Sequence, residues 1–411
     1  MKIAYIVPYV PNLIRTRPYN FINQLVGLGH EVTVFTLGSG KQDRDDVNAL
    51  RLKVKQVYYQ EQTVLRSLWN SITAVPTWHP LQSVYSWNSR LAYQLVNSIL
   101  DDREAFDVIH VEHLRGSRYG RFVKLKFPHI PVIWDSVDCI SHLFSQASVY
   151  SVGLFGRFVT RFELSRTRKM EGNLITQLDH VLVTSKTDRN ALLELAPSTS
   201  KPSPISVLSN GVDLEYFHQN PARRRDLNTL VFSGKMSYHA NIAMVKKLVN
   251  VIMPMIWEKH SNVQLKIVGK DPTPEILAFE ADPRITVTGT VPDLRPFLWD
   301  STIAVIPLVY GAGIQNKVLE AMACGTPVVT TSRALLSLKI TPDRELLVAD
   351  NDAEFSRSVV KLLENRELQN NIGSNGAAYV KKYHSWRDMT KELLTHYDEI
   401  VNKSKSKYLL S

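Results

Sequence analysis

Short runs of β-branched and aliphatic residues recur along the chain, and segments with a helical spacing of apolar residues separate them. Continuous apolar runs of this length are typical of strands that are buried on both faces, as in a parallel sheet. In the first half of the chain they lie at residues 2–7, 31–36, 107–113, 131–138 and 180–185. Helical patterns cover residues 19–28 and 186–195. This alternation predicts a doubly wound α/β domain with right-handed crossovers.

The second half repeats the alternation after a polar linker. The turn dipeptide Asn210-Gly211 ends a short apolar run, and residues 214–228 are mostly polar. Further strand-like runs lie at residues 229–235, 263–269, 285–288, 302–307 and 328–331. A helix to Trp257 is predicted, with Asn241 as its cap. Because 411 residues exceed what one core accommodates, we predict domains at residues 1–212 and 213–384 and a final segment at 385–411.

Residues 310–331 contain the clearest candidate chemistry. A strand-like run is followed by Gly311 and Gly313, which let the backbone approach a ligand closely, and then by strong helix formers up to residue 323. The N-terminus of such a helix favours phosphate, and Lys317 adds a positive charge there. Glu320 lies one turn further along, and its carboxylate can accept hydrogen bonds from sugar hydroxyls. The pattern indicates a nucleotide-sugar site.

Residues 311–323 have the sequence Gly-x-Gly-Ile-x-Asn-Lys-Val-Leu-Glu-Ala-Met-Ala. This run resembles the donor signature of retaining glycosyltransferases of family four, in the subgroup of exopolysaccharide-associated sugar transferases. The resemblance implies the GT-B architecture, in which two Rossmann-like doubly wound domains face a central cleft. It also implies that the last helix, after Trp386, crosses back to the first domain. The chain departs from the family at Ala312, where relatives often have the first of two glutamates.

The resemblance assigns donor-binding residues in the second domain. Lys235 follows a strand and a glycine, at the place where relatives bind the donor diphosphate with a basic residue. Together with Lys317 it could clamp a pyrophosphate, so that no metal and no cofactor is needed. The donor-binding residues are Gly234, Lys235, Val291, Gly311, Gly313, Ile314, Gln315, Asn316, Lys317, Val318 and Glu320.

Candidate acceptor-side residues lie at strand ends in the first domain, where open α/β sheets bind ligands. Arg15 and Arg17 replace the glycine-rich first loop of many relatives and are candidate anion contacts. Glu112 and His113 end the third strand-like run, and some relatives have a histidine near the acceptor there. Asp135 resembles an aspartate-rich strand end of the same subgroup. We predict Lys235, Lys317, His113 and Asp135 as the catalytic residues.

Structural explanations stay open for several of these side chains. Arg15 and Arg17 can be ordinary surface arginines, and His113 can be packed at a strand end. Asp138 precedes an apolar helical run, and helix capping is the favoured interpretation there.

The composition limits the classes of partner and compartment. The formal net charge of +10 favours anionic partners, while no nucleic-acid-binding motif is found. Two cysteines rule out a disulfide framework and favour a reducing compartment. The first apolar run is too short for a signal peptide, and no run of about 18 apolar residues predicts a spanning helix. We predict a cytoplasmic protein, with the basic and aromatic residues 151–174 as a candidate peripheral contact at the inner membrane face.

These observations predict a metal-independent hexosyltransferase, and the resemblance implies that it retains anomeric configuration. Its donor is a nucleotide diphosphate sugar, and its acceptor is a hydroxyl of a saccharide, a lipid-linked glycan or a small molecule. A sugar-nucleotide epimerase of the same architecture is an alternative, as is a degenerate sugar-nucleotide-binding protein, which Ala312 would support. A dinucleotide-dependent dehydrogenase is disfavoured because no Gly-x-Gly-x-x-Gly follows the first strand.

Overall fold

The computed structural model describes residues 1–12, 15–101, 106–150, 154–309, 315–335, 338 and 340–409, with side chains at all of these except 147–160 and 407–409. The chain forms two compact units. The first comprises Met1–Ser209 and Trp386–Ser411, and the second comprises Asn210–Ser385. The unit boundaries lie within three residues of the predicted positions 212 and 384, and the final segment belongs to the first unit.

The first unit contains a seven-stranded sheet in the order β3-β2-β1-β4-β5-β6-β7, with every pair of neighbours parallel. Its strands are Lys2–Val7 (β1), Glu31–Gly38 (β2), Gln56–Glu61 (β3), Val108–Glu112 (β4), Val132–Val137 (β5), His180–Val183 (β6) and Ile205–Val207 (β7). The helices between them are Thr16–Gly27 (α1), Gly40–Arg51 (α2), Val64–Ala74 (α3), Leu81–Tyr85 (α4), Ser89–Leu100 (α5), His113–Lys126 (α6), Ile140–Tyr150 (α7), Leu154–Gln177 (α8) and Lys186–Leu193 (α9).

The second unit contains a six-stranded parallel sheet in the order β10-β9-β8-β11-β12-β13. Its strands are Thr229–Ser233 (β8), Gln264–Val268 (β9), Ile285–Val287 (β10), Ile303–Ile306 (β11), Val328–Thr330 (β12) and Leu347–Val348 (β13). Its helices are His239–Lys247 (α10), Met253–Trp257 (α11), Pro274–Leu277 (α12), Arg295–Asp300 (α13), Asn316–Ala323 (α14), Asp352–Glu364 (α15) and Arg366–Tyr383 (α16). The last helix of the chain is Trp386–Leu409 (α17). The two parallel sheets confirm the predicted pair of Rossmann-like folds.

Both faces of the first sheet are covered, and β1 shows how the sequence achieves this. Ile3, Tyr5 and Val7 are buried in one apolar cluster, and Ala4 and Ile6 are buried in another on the opposite face. Alternate side chains of a strand point to opposite faces, so a strand between two helical layers is expected to be apolar at most positions. This explains the continuous apolar runs of the sequence.

The C-terminal helix α17 completes one of these two layers. Trp386, Met389, Leu393 and Tyr397 are buried in the same cluster as Ile3 and the apolar side of α1. The Trp386 and Phe21 rings meet edge to face, with their centroids 5.1 Å apart. A segment at the end of the chain therefore supplies part of the core around the first strand.

One helical stretch of the described chain, His239–Trp257, has the length and composition of a membrane span. It comprises α10, a π-helical turn at Leu248–Ile252, and α11. Half of it is buried, and Met244, Leu248 and Ile256 belong to the core of the second unit. The length and composition of this stretch would allow it to span a membrane, which was not predicted from the sequence. Its burial is that of a core helix.

The packing of α17 leads to a stability prediction. Leu393→Ala removes a fully buried side chain and should lower the unfolding free energy of the first unit by about 2–5 kcal/mol. Chemical denaturation followed by circular dichroism measures this change. Lys391→Ala, an exposed change on the same helix, is the control and should cost less than about 1 kcal/mol. A Leu393→Ala variant as stable as this control would contradict the role of α17 in the core.

Candidate functional site

Two glycines at the ends of neighbouring strands shape the loop that carries Lys235. Gly234 follows β8 with a φ of 153°, and Gly269 follows β9 with a φ of 150°. A Cβ atom on Gly269 would lie 1.7 Å from the carbonyl oxygen of Gly234, and one on Gly234 would lie 2.7 Å from Nδ2 of Asn241. The backbone amide of Gly234 also donates to the carbonyl of Val268 over 3.0 Å. Both positions therefore require glycine, and the loop has little freedom to move.

Asn241 joins this loop to Lys317. Its Nδ2 donates to the carbonyl oxygen of Lys235 over 2.8 Å, and its Oδ1 accepts a hydrogen bond from the Lys317 ammonium. Asn241 is buried in the first turn of α10, which begins at His239, so the predicted capping role is wrong. The loop that carries Lys235 and the first turn of the helix that carries Lys317 are thus connected through one amide. Sequence reasoning missed this bridge because Asn241 and Lys317 are far apart in the chain.

Lys317 lies in the first turn of α14. The first backbone bond of this helix runs from the amide of Val318 to the carbonyl of Gln315 over 2.8 Å, so the amides of Asn316 and Lys317 precede the helical ladder. Oδ1 of Asn316 accepts from Nδ2 of Asn210 over 3.2 Å. The buried side chain of Val318 helps to anchor the helix in the core. The positive end of the helix and the Lys317 ammonium therefore act at the same place.

Burial perturbs the ionisation of both charged groups on α14. Desolvation lowers the pKa of Lys317 to about 8, and the attraction of Glu320 opposes this effect. Desolvation raises the pKa of Glu320 to about 7, against the attraction of Lys317. Both side chains keep partial exposure although protein atoms surround them closely. The ammonium is bonded to the neutral amide of Asn241, so its charge is available to an anionic ligand.

The other predicted donor residues are placed differently. The ammonium of Lys235 is about half exposed and lies 3.5 Å from a carboxylate oxygen of Asp271. This separation and exposure make a weak ion pair, so Lys235 can reorient. Val291 is half-buried against the core of the second unit. Gly311, Ala312, Gly313 and Ile314 lie outside the described residues.

In the first unit, Glu112 and His113 stand where β4 meets α6. Oε1 of Glu112 accepts from the hydroxyl of Tyr9 over 2.7 Å, and Oε2 has no hydrogen-bond partner within the described part of the chain. Burial, and then the charge of Asp135, raises the pKa of Glu112 to about 8. A carboxyl group in this state is protonated at neutral pH and can donate a hydrogen bond.

His113 begins α6 in a strained backbone conformation, with a φ of 60°. Its Nδ1 accepts from the backbone amide of Arg115 over 3.3 Å. Burial, and then the charge of Arg115, lowers the pKa of His113 to about 4. The imidazole is therefore neutral at physiological pH.

Arg17 and Asp135 form a buried pair. Nε and Nη2 of Arg17 donate to the two carboxylate oxygens of Asp135 over 2.7 and 3.1 Å, and Nη1 donates to the carbonyl of Ser209 over 3.3 Å. Both side chains are almost fully buried. This geometry does not support Arg17 as an anion contact, because its charge is already balanced. Asp135 likewise lacks a free oxygen with which to act as a base.

Arg15 remains accessible, in contrast to Arg17. Its guanidinium lies 4.8 Å from the ring centre of Tyr9, and Nη1 donates to the carbonyl of Val10 over 3.0 Å. A carboxylate oxygen of Asp43 lies 4.0 Å from Nη1. Arg15 therefore stays a candidate anion contact, because its guanidinium is partly exposed.

The prediction that Asp138 caps α7 is wrong. Asp138 accepts from the hydroxyl of Thr184 over 3.4 Å and does not cap the helix. Instead the amides of Ile140 and Ser141 donate to the carboxylate of Glu171, over 2.7 and 3.2 Å. Glu171 belongs to α8, so no local sequence signal could identify it as the cap.

Three side chains of the first unit could hold a metal ion at another place. Ligand atoms of His180, His396 and Glu399 lie within 4.8 Å of one another. His180 lies at the start of β6, whereas Glu112 lies at the end of β4. The two groups are therefore at opposite ends of the strands of a parallel sheet. The candidate site therefore does not include this group.

Two family models match the chain over most of its length. One, described as glycosyltransferase family 4, matches residues 15–216, and the other, described as glycosyl transferases group 1, matches residues 228–365. The chain is 24% identical over 408 residues to a human subunit of phosphatidylinositol N-acetylglucosaminyltransferase, covering 95% of this chain and 74% of the relative. It is 23% identical over 309 residues to an MMP alpha-(1→4)-mannosyltransferase of Mycolicibacterium hassiacum, covering 73% and 72%.

A solved structure is similar over the whole fold. The sucrose-phosphate synthase of Thermosynechococcus elongatus superposes with a TM-score of 0.71 at 16% identity, covering 98% of this chain and 99% of that one. Epimerases and dehydrogenases are not favoured, because both matching models describe glycosyltransferases. The chain therefore belongs to the glycosyltransferases of the GT-B fold.

Proposed function

We propose that the protein transfers a hexose-type sugar from a nucleoside diphosphate sugar to a hydroxyl acceptor, with retention of anomeric configuration and without the help of a metal ion. The observation that carries this proposal is the link that Asn241 makes in the second unit between the Lys317 ammonium and the backbone of Lys235. Retention rests on the resemblance of residues 311–323 to the family signature.

The geometry supports a division of roles on the donor side. The Lys317 ammonium and the first amides of α14 neutralise the diphosphate as it leaves, which is where negative charge develops in the transition state. The exposed Lys235 can move from Asp271 onto a phosphate once the donor binds. Glu320 lies one helical turn from Lys317. When it is ionised, its carboxylate accepts hydrogen bonds from the hydroxyl groups of the ribose.

The acceptor roles belong to the first unit. Glu112 is protonated at neutral pH and has one oxygen without a hydrogen-bond partner among the described residues, so it can donate to an acceptor hydroxyl. The neutral imidazole of His113 can bind another. We propose a saccharide or a lipid-linked glycan as the acceptor, following the exopolysaccharide-associated subgroup that the sequence resembles.

Donor binding can be tested by thermal shift with UDP-, GDP-, ADP- and TDP-sugars. A donor at about one hundred times its Kd should raise the melting temperature by about 5–10 °C. Lys317→Ala should abolish the shift, because the diphosphate loses its most desolvated cation. Lys246→Ala, which breaks only an exposed ion pair, should keep it.

Two outcomes would contradict this assignment. The site is not a donor site if none of the four nucleotide sugars stabilises the wild type, or if Lys317→Ala responds as strongly as Lys246→Ala. Release of nucleoside diphosphate from the stabilising donor then separates a transferase from a protein that only binds the donor.

The ionisation of Lys317 predicts how affinity depends on pH. With a pKa lowered to about 8, the ammonium is charged below pH 8 and loses its proton above it. Affinity for the nucleoside diphosphate should therefore fall by about tenfold per pH unit above pH 8. Lys317→Arg keeps its charge throughout this range and should show a flat profile between about pH 7 and 9.5.

Isothermal titration calorimetry at each pH measures both profiles. Glu320→Gln is the matched control, because Glu320 also titrates near neutral pH. Its removal should keep the decline and move its onset to a lower pH, since the charge of Glu320 raises the pKa of Lys317. A flat wild-type profile would show that Lys317 does not contact the diphosphate as an ammonium ion.

A further inference from the structure

Helix α3 is attached to the first unit by its polar side. The hydroxyl of Ser67 donates to the carbonyl of Tyr85 over 3.0 Å, and Nδ2 of Asn70 donates to the carbonyls of Val84 and Trp87 over 3.1 and 2.8 Å. The buried positions of the helix are Ser67 and Ala74. Small and polar residues thus occupy the inward side, which is the reverse of an ordinary amphipathic helix in a globular protein.

The outward side of α3 is apolar and exposed. Leu65, Leu68, Trp69 and Ile72 follow the spacing i, i+3, i+4, i+7, which places them on one face of the helix. Val75 and Trp78 extend this surface beyond the end of the helix. Each of these side chains, which we call the α3 apolar face, is 51–80% exposed. Contiguous exposed apolar groups of this kind mark an interaction surface.

The chain segment that contains the α3 apolar face has no acidic residue. Residues 62–100 contain no aspartate or glutamate, although the chain has 39 of them among 411 residues. The same stretch carries Arg66, which is exposed on α3, and Arg90. The exposed Lys169 of α8 adds a further cation, with its Nζ 4.7 Å from the ring centre of Trp78.

A buried arginine of α8 holds the end of the α3 apolar face through hydrogen bonds to backbone carbonyls. The guanidinium of Arg166, which is buried, donates to the carbonyls of Ala74 and His79 over 3.4 Å each. Arg166 lies in the stretch 151–174, which is the predicted segment for membrane contact. The other buried side chains among the described residues of that stretch are Glu163, Thr167, Met170, Glu171 and Leu174. Part of that stretch therefore supports the surface from inside.

We propose that the α3 apolar face docks the protein on an anionic lipid bilayer. Tryptophans flanked by cations and mixed with leucine and isoleucine are suited to the boundary between headgroups and acyl chains. Apolar side chains enter that boundary, while Arg66 and Lys169 meet the anionic headgroups. A membrane satisfies both the exposed apolar area and the lack of acidic residues in segment 62–100. The carboxylate of Glu163, which accepts from the amide of Leu81 over 2.8 Å, is buried. The proposal does not depend on donor binding, so the two can fail separately.

Vesicle flotation tests the proposal. The full-length protein should bind phosphatidylcholine vesicles that contain about a quarter of phosphatidylglycerol, bind pure phosphatidylcholine vesicles more weakly, and lose affinity in about 0.5 M salt. Trp69→Glu combined with Ile72→Glu should reduce the partition coefficient by about tenfold or more, since two apolar groups are replaced by charges that anionic headgroups repel. Both positions are exposed, so the melting temperature should not change.

Matched controls come from exposed leucines elsewhere. Leu52→Glu on the first unit and Leu227→Glu on the second add the same charge at similarly exposed positions and should bind vesicles as the wild type does. The proposal is overturned if the wild type does not bind anionic vesicles, or if the double variant binds them as strongly as these controls. A concentration-dependent dimer that the double variant loses, without vesicle binding, would instead assign the face to a second copy of the chain.

Discussion

A parallel sheet with helices on both faces leaves few places for polar chemistry, and this constraint organises the whole chain. The interior of a strand such as β1 is filled by apolar side chains, so ligand-binding side chains are expected mainly where strands end. Glu112 is the last residue of β4, and Gly234 directly follows β8. The same rule operates in both units, although the residues that emerge differ in chemistry.

The two units differ in how a charged side chain that is surrounded by protein is balanced. In the first unit, Arg17 and Asp135 neutralise each other through two hydrogen bonds, which makes the pair a structural element. In the second unit, Lys317 is held by the neutral amide of Asn241, and Glu320 has its pKa raised to about 7 by burial. A cation held by a neutral partner costs stability in the free protein and is most useful when an anion binds.

The periodicity of the sequence predicted most of the strands, and the first predicted run at residues 2–7 coincides with Lys2–Val7. The strand Gln56–Glu61 was not predicted, because its residues are mostly polar or aromatic. The helix that carries Lys317 was also evident, because glycines bracket a run of strong helix formers. Contacts between distant residues could not be predicted in this way. Arg17 pairs with Asp135 across 118 positions, and Glu171 lies 31 residues after Ile140, whose amide it caps. Local patterns carry no information about such pairs.

Helix α3 shows a second limit of pattern analysis. Its apolar residues have the spacing of an amphipathic helix, but spacing alone does not reveal which side faces the core. The hydrogen bonds of Ser67 and Asn70 decide the orientation, and their acceptors are backbone carbonyls of the following segment. Backbone acceptors leave no signature in the sequence.

The position of α17 has a consequence for the order in which the protein matures. The second unit is continuous, from Asn210 to Ser385, so its synthesis is complete before Trp386 is added. The first unit contains the earlier half of the chain, yet part of one face of its sheet stays uncovered until Trp386, Leu393 and Tyr397 are synthesised. The half that is made first is therefore completed last, and a nascent chain halted before Trp386 exposes apolar surface that chaperones recognise.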